Sequence, residues 1–296
     1  VTKIEYPKEK SLEGLAKRAL SLVKQDERIF NFVITAELER RALVEEPLSD
    51  VTEMAQKWRQ PDAPDELIIN HGKYIGDGLV HLAEELHQKP SSNRALYSLI
   101  NTSDIIDSGD APIPSFLIFQ CGLDSGVLYC TVYFRALEIA NFFRINLEEI
   151  RLNLLDVLGR IDAGVIRLTV VAFGAYNRPN QSALVKPEID RISSVNLHDI
   201  LDDDRAKMVS MLVEKAKEAT YIDVSSIEVI RDWSDKGRKR RPDLGNINQI
   251  NYLASEAIRV ARELASLRLR HSHHAEVAEK AVHYTNTIEK LASEFK

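Results

Sequence analysis

Two runs rich in β-branched and aromatic residues, Ser115–Leu123 and Val127–Arg135, are separated only by Asp124-Ser125-Gly126. No other stretch restricts the fold as much. Two such runs joined by a short loop with a glycine able to take positive φ predict a β-hairpin. A three-residue loop sets Leu123 opposite Val127. Counting outward, Phe119 falls opposite Thr131, Leu117 opposite Tyr133 and Ser115 opposite Arg135. Because side chains alternate between faces, this register puts Cys121 and Cys130 on opposite faces and forbids their pairing within the hairpin.

Around the hairpin the periodicity alternates without regular βαβ spacing. Leu12, Leu15, Ala16, Ala19, Leu20 and Val23 form one helical face over Ser11–Lys24, and Ile29–Thr35 reads as a strand. Helices are predicted over Val51–Trp58 and Gly78–Gln88, and a strand over Arg94–Ile100. Residues 101–114 form a loop dense in Ser, Asp, Gly and Pro. Asn146 and Glu149 look like a capping box for a helix reaching Leu158. Val165–Phe173 reads as a buried strand, Asp202-Asp203-Asp204 as a helix start and Ser226–Ile230 as the last strand. The class is α+β, a large mixed sheet with packed helices.

A composition break follows at Ser234–Leu244, where Lys236, Arg238, Lys239, Arg240 and Arg241 make a basic linker. Beyond it Ile250, Leu253, Ala257, Val260, Leu264 and Leu267 alternate by three and four. So do Val277, Ala281, Tyr284, Ile288, Leu291 and Phe295. The two series are out of phase, which predicts two helices broken near His271–His274, with one long helix carrying a register shift as the alternative. The expected division is a core over 1–233, a linker over 234–244 and a helical hairpin or coiled-coil extension over 245–296. The extension is expected to serve assembly or to bind a protein partner.

A formal charge of −6 over 296 residues gives no global attraction to nucleic acid or to an anionic membrane, so any anion site must be local. The basic linker has no interleaved aromatic residues and reads as a solvated segment, so nucleic acid is not an expected partner. No apolar stretch is long enough to span a membrane and the first residues are no signal peptide, which predicts a cytoplasmic protein. Two cysteines exclude a disulfide framework. No phosphate loop, His-Glu-x-x-His helix or Gly-x-Ser-x-Gly elbow occurs. His271, His273, His274 and His283 lack a completing carboxylate or cysteine set, so neither metal nor cofactor is expected.

From Pro114 to Asn146 the chain resembles the active-site segment of the thymidylate synthase and deoxycytidylate hydroxymethylase superfamily. The matching residues are Pro114-Ser115-Phe116, Gln120, Tyr133-Phe134-Arg135-Ala136-Leu137-Glu138 and Ile145-Asn146. Upstream, Ser92-Asn93-Arg94 through Asn101 is similar to the family's Ser-Arg-Arg segment. Val170–Tyr176 is a looser match to a family strand ending in tyrosine. The resemblance covers about Ser92–Leu158 and implies a thymidylate-synthase-like core, with the C-terminal helices outside it.

By this resemblance Ser115 stands where the family keeps its catalytic cysteine, whose thiolate attacks C6 of a pyrimidine. Phe116 replaces the histidine that follows it, so the site is expected to be inactive as a thymidylate synthase. Arg135 resembles the phosphate-binding arginine, and an arginine fork suits a 5′-phosphate. Arg94 resembles one that is lent to a neighbouring subunit's phosphate. Asn146 resembles the residue that reads the pyrimidine edge, and Gln120, Glu138 and Tyr176 match further nucleotide-site positions. The resemblance therefore implies a homodimeric, non-catalytic protein that binds a pyrimidine nucleoside monophosphate or keeps the scaffold for assembly. The alternatives are an enzyme of redirected chemistry on a pyrimidine nucleotide and a purely structural interaction protein.

Overall fold

The computed structural model describes residues 4–107, 111–178, 185–217, 221–237, 246–270 and 275–296. The chain forms two compact units. One comprises Val1–Pro64, Ile69–Asp107 and Ile113–Ala183; the other comprises Leu184–Lys296 with Asp65–Ile68 and Ser108–Pro112.

The first unit is α+β. In order it contains α1 (Leu12–Leu22), β1 (Arg28–Glu39), α2 (Arg40–Glu45), α3 (Thr52–Arg59), α4 (Gly72–Ile75), α5 (Gly78–Gln88), β2 (Leu96–Ser98) and α6 (Thr102–Asp107). There follow β3 (Phe116–Asp124), β4 (Val127–Phe134), β5 (Leu137–Glu138), α7 (Phe142–Leu158) and β6 (Val165–Tyr176). The sheet order is β1-β6-β4-β3-β2, with β5 also on β6. β4 and β5 run parallel to β6 and the other pairs are antiparallel, so the sheet is mixed.

One sheet face carries Ile34, Phe119, Leu128, Cys130, Val132, Phe134, Leu168 and Val170, all buried against apolar residues of α1, α5 and α7. The other face is open along much of its length among the described residues. Across it Val33, Val171, Tyr133, Ile118 and Ser98 follow one another strand to strand in register. Val33 is 51% exposed, Phe30 55% and Phe173 49%. Near the other end Tyr6 covers part of this face, its hydroxyl 3.1 Å from that of Thr169.

The hairpin forms, with a tighter turn than the sequence suggests. Asp124 pairs with Val127, and Ser125 and Gly126 take φ of 51° and 74°. This two-residue turn has positive φ at both centres, the geometry that matches the strands' own twist. The register therefore moves by one, and Cys121 stands directly opposite Cys130, both free and buried on the same face. The expectation that they lie on opposite faces is corrected. A register irregularity between Phe116 and Ile118 then returns the lost residue, and Arg135 N–H donates to the Ser115 carbonyl at 2.9 Å. The pairing of Ser115 with Arg135 thus holds although the turn length does not.

β1 contains its own irregularity. Asn31 takes a φ of 54°, and beyond it the alternation changes phase, so that Phe30 joins Phe173 on the open face with ring centroids 5.5 Å apart. Asparagine is among the residues that tolerate this backbone region best.

α7 begins at Phe142, one turn earlier than the capping-box reading allows. Its first turn is capped from β5: the Glu138 carboxylate accepts from the backbone N–H groups of Ala140 (2.8 Å), Asn141 (2.7 Å) and Phe142 (3.1 Å). A carboxylate at this end also meets the positive pole of the helix. Asn146 lies inside the helix, so it is not the N-cap.

The second unit is helical: α8 (Glu188–Arg191), α9 (Ser194–Asp203), α10 (Arg205–Lys215), α11 (Ser225–Gly237), α12 (Ile247–Arg268) and α13 (Ala275–Ser293). Ser226–Ile230 is therefore part of α11, not a strand; Ile227, Ile230 and Trp233 recur at helical spacing and are buried. Asp204 caps α10, accepting from Lys207 N–H at 2.9 Å. The two heptad series form separate helices; Ile250, Leu253, Ala257, Val260, Tyr284, Ile288, Leu291 and Phe295 are buried with Met208, Met211, Leu212, Ile227 and Ile230, while Leu267, Val277 and Ala281 are partly buried. The structure divides the chain near residue 184, not at the basic segment, because α9–α11 share one apolar core with α12 and α13. Within that core Lys215 donates to Asp190 at 2.5 Å, both side chains being buried. Residues 238–241, His271, His273 and His274 lie outside the described residues. His283 is half-exposed, 3.5 Å from Glu256.

Candidate functional site

The end of β6 gathers several basic side chains. In the β1–β6 ladder Arg28 is the direct partner of Tyr176, and in the β5–β6 ladder so is Glu138. The Arg178 guanidinium lies 5.7 Å from the centre of the Tyr176 ring. Arg135 is exposed by surface area, yet the protein packed around its guanidinium lowers its pKa from the ordinary value, with Tyr176 near enough to oppose the shift. Arg28 crosses the Phe30 ring at 4.4 Å, and its Nε is buried without a partner. Gly174 makes room for it, since a Cβ there would stand 3.1 Å from Nε and from Nη2.

None of Arg28, Arg135 and Arg178 forms an ion pair among the described residues. Arg135 instead donates to the carbonyls of Pro114 (3.0 Å) and Ile113 (2.9 Å), which orders the segment before β3. Three arginines near the end of β6, with no carboxylate paired to any of them among the described residues, have the chemistry of an anion site. The Glu138 carboxylate is next to this cluster in the chain but is occupied by four backbone N–H groups, the fourth from Arg178 at 3.0 Å.

The residues named by resemblance therefore separate into groups. Ser115, Arg135, Glu138 and Tyr176 come together. Gln120 lies in β3 five residues beyond Ser115, about 16 Å at the usual strand rise, and donates to the Asn93 carbonyl at 3.1 Å. Arg94 is exposed beside that carbonyl, ahead of β2. Asn146 belongs to a different surrounding altogether.

Phe142, Asn146, Glu149 and Asn153 recur at four, three and four residues, so they share one stripe of α7. Opposite this stripe stand Trp58 at the end of α3 and His71 just before α4. Trp58 stacks on Phe142 (centroids 6.0 Å) and meets His71 edge-on (5.1 Å), while His71 meets Phe116 edge-on (5.7 Å). His71 Nδ1 is 2.8 Å and 2.9 Å from the two Glu149 oxygens. Because a carboxylate only accepts, Nδ1 carries the hydrogen of this bond.

Local contacts fix this arrangement. His71 N–H donates to the Trp58 carbonyl at 2.9 Å, and Asn70 Nδ2 donates to the Gln60 carbonyl at 2.5 Å. Gly72 packs so closely that a Cβ there would fall 2.1 Å from the Gln60 carbonyl oxygen. Asn153 accepts from Arg59 Nε at 2.7 Å and donates to the Tyr97 hydroxyl at 3.1 Å. Two donors remain unanswered: Asn146 Nδ2 and Trp58 Nε1, on side chains only 2% and 4% exposed.

Sequence reasoning did not find Arg28, Arg178, Trp58, His71 or Glu149. The polar residues Asn146, Glu149 and Asn153 at helical spacing in α7 were the available signal for the last. No family model matches this chain, and no curated protein sequence matches it. Among the described residues no helix is long and apolar enough to cross a membrane.

Proposed function

We propose that this chain is a thymidylate-synthase-like protein that binds a pyrimidine nucleoside monophosphate without forming a cysteine adduct. The observation that carries the reading is the set Arg28, Arg135 and Arg178 near the end of β6, without carboxylate partners among the described residues and with Arg135 tied to Ser115 through the backbone. A phosphate monoester accepts from several guanidinium forks at once and would satisfy the buried Arg28 Nε. The serine at 115 supplies no ready thiolate, so the bound nucleotide is held and not attacked.

Thermal-shift titration with nucleoside monophosphates, the matching nucleosides and inorganic phosphate tests this. Stabilisation by monophosphates, reduced in Arg28→Ala and Arg178→Ala, is expected. No stabilisation by any monophosphate, or equal stabilisation in those variants, overturns the reading.

The same reading makes the protein a homodimer, with the open sheet face as the contact. Its support is the apolar row from Val33 to Ile118 together with exposed Phe30 and Phe173, a patch of the kind that marks association sites. Light scattering should report two chains per particle, and Phe173→Asp should shift the mass to one. A monomeric parent protein at micromolar concentration overturns this part.

A further inference from the structure

Cys121 and Cys130 stand three residues outside Asp124 and Val127, the pair that closes the hairpin turn, and are direct partners in the β3–β4 ladder. An antiparallel ladder alternates between pairs that exchange backbone hydrogen bonds and closer pairs that do not. Cys121 belongs to the closer kind: its N–H points away from β4 and donates to the Ala95 carbonyl, on the β2 side, at 2.9 Å. The Cα atoms of such a pair lie about 4.5 Å apart, with the side chains at their nearest approach. That spacing falls within the range that disulfide-bonded cysteines span, and both thiols are free and project to the same face.

Packing holds the two sulfurs together inside the sheet unit's core, where both side chains are buried. Tyr97, stacked on Phe119 and bonded to Asn153, lies near both of them. Burial raises the pKa of the Cys121 thiol above its ordinary value, and Cys130 is within hydrogen-bond reach of it. A thiol kept protonated reacts slowly, so the pair answers only to a reagent small enough to enter the core or to one met when the strands part.

We propose that Cys121 and Cys130 form a reversible redox couple, in which a peroxide closes a disulfide that pins β3 to β4 in the register set by the two-residue turn. One thiolate attacks the peroxide O–O bond, forming a sulfenic acid and releasing hydroxide. The second thiolate attacks that sulfur, forming the S–S bond and releasing a second hydroxide. The two protons lost by the thiols convert both hydroxides to water. Two thiols are thus oxidised while one peroxide is reduced to two waters, and a dithiol reductant reverses the step by exchange. The bridge closes a short loop across the turn, so its effect is local: the hairpin can no longer slip or part there. The inference uses neither Ser115 nor the arginine cluster and stands apart from the nucleotide reading.

Treating the full chain, reduced and then freed of reductant, with hydrogen peroxide tests it. The tryptic peptide 95–135, which holds both cysteines, is expected to lose two hydrogens and to resist alkylation in denaturant. Further cleavage at Asp124 should leave its two fragments joined until dithiothreitol is added. Amide exchange over residues 118–133 should slow about tenfold or more in the oxidised protein and recover on reduction. Cys121→Ala and Cys130→Ala should show neither change; if neither variant folds, the joined fragments of the parent protein carry the test. Thiols that both stay free, oxygen added to either sulfur in place of the hydrogens lost, or disulfides between chains overturn the proposal. A disulfide that forms within the chain without slowing exchange overturns its role as a lock.

Discussion

Arg135 N–H donates to the carbonyl oxygen of Ser115 at 2.9 Å, so the two residues that the proposed family reading makes nucleophile position and phosphate ligand are tied through the backbone. That tie fixes where Ser115 sits whatever its side chain is. It also means that geometry is not what withholds cysteine chemistry here. The hydroxyl has no accessible alkoxide at neutral pH.

The parent protein is accordingly expected to show no methylenetetrahydrofolate-dependent methylation of deoxyuridylate. Ser115→Cys should remain inactive, because on the proposed reading Phe116 stands where the family has a histidine, and it is buried against His71 and Phe134. Spectrophotometric assay of folate oxidation checks both proteins, and turnover above background in either one refutes the expectation.

Glu138 should matter for stability before it matters for any ligand. Its carboxylate accepts four backbone N–H groups, three from the start of α7 and one from Arg178. Glu138→Ala leaves buried donors unmet and should cost about 3 kcal/mol. Glu138→Gln, which keeps one acceptor oxygen, should cost less. Urea denaturation gives both values, and an unchanged midpoint for Glu138→Ala contradicts the assignment.

Glu148 links stability to acid. Burial pushes its carboxyl up, but the Arg151 fork (2.7 Å), Leu48 N–H (3.0 Å) and the Thr52 hydroxyl (2.8 Å) outweigh that, and the group stays below its ordinary value. A carboxyl depressed in the folded state stabilises the protein above its unfolded pKa, and that stabilisation is lost as pH falls through the folded pKa. Stability should therefore decline below about pH 4.5, and Glu148→Gln should flatten that part of the profile. Breaking the pair with Arg151→Ala should cost about 3–5 kcal/mol at neutral pH, since an unpaired charge is left buried. Denaturation midpoints from pH 3 to 7 decide the matter.

Truncation before Ile247 should unfold the helical unit. The seams of α12 and α13 cover Met208, Met211, Leu212, Ile227 and Ile230, which would otherwise be exposed. The sheet unit has its own apolar core and should keep its protection. Hydrogen exchange resolved by segment should show loss of protection over 188–237 and retention over 116–176. Retained protection in α9–α11 would show that the tail is dispensable for that core.

Most of the secondary structure was legible in residues 11–173, because local periodicity reports directly on which side of an element is buried. The strand expected at Ser226–Ile230 failed for a related reason. Three apolar residues in a five-residue segment, Ile227, Val229 and Ile230, are too few to separate a period of two from one of 3.6, and only the wider spacing of Ile227, Ile230 and Trp233 reveals the helix. The hairpin register shows the same limit more finely. Asp124-Ser125-Gly126 announces a turn but not whether Asp124 belongs to the strand, and a one-residue difference moves Cys121 to the partner position of Cys130.

The sequence by itself determined the α+β class, the hairpin, the α7 segment and the two terminal helices, since each is encoded by residues close together in the chain. Tertiary structure alone decided that Arg28 reaches Tyr176, that His71 meets Glu149, and that α9–α11 belong with the tail. Those relations join residues 148, 78 and tens of positions apart. No local pattern carries them; they exist because a strand ladder or a shared apolar core brings distant residues side by side.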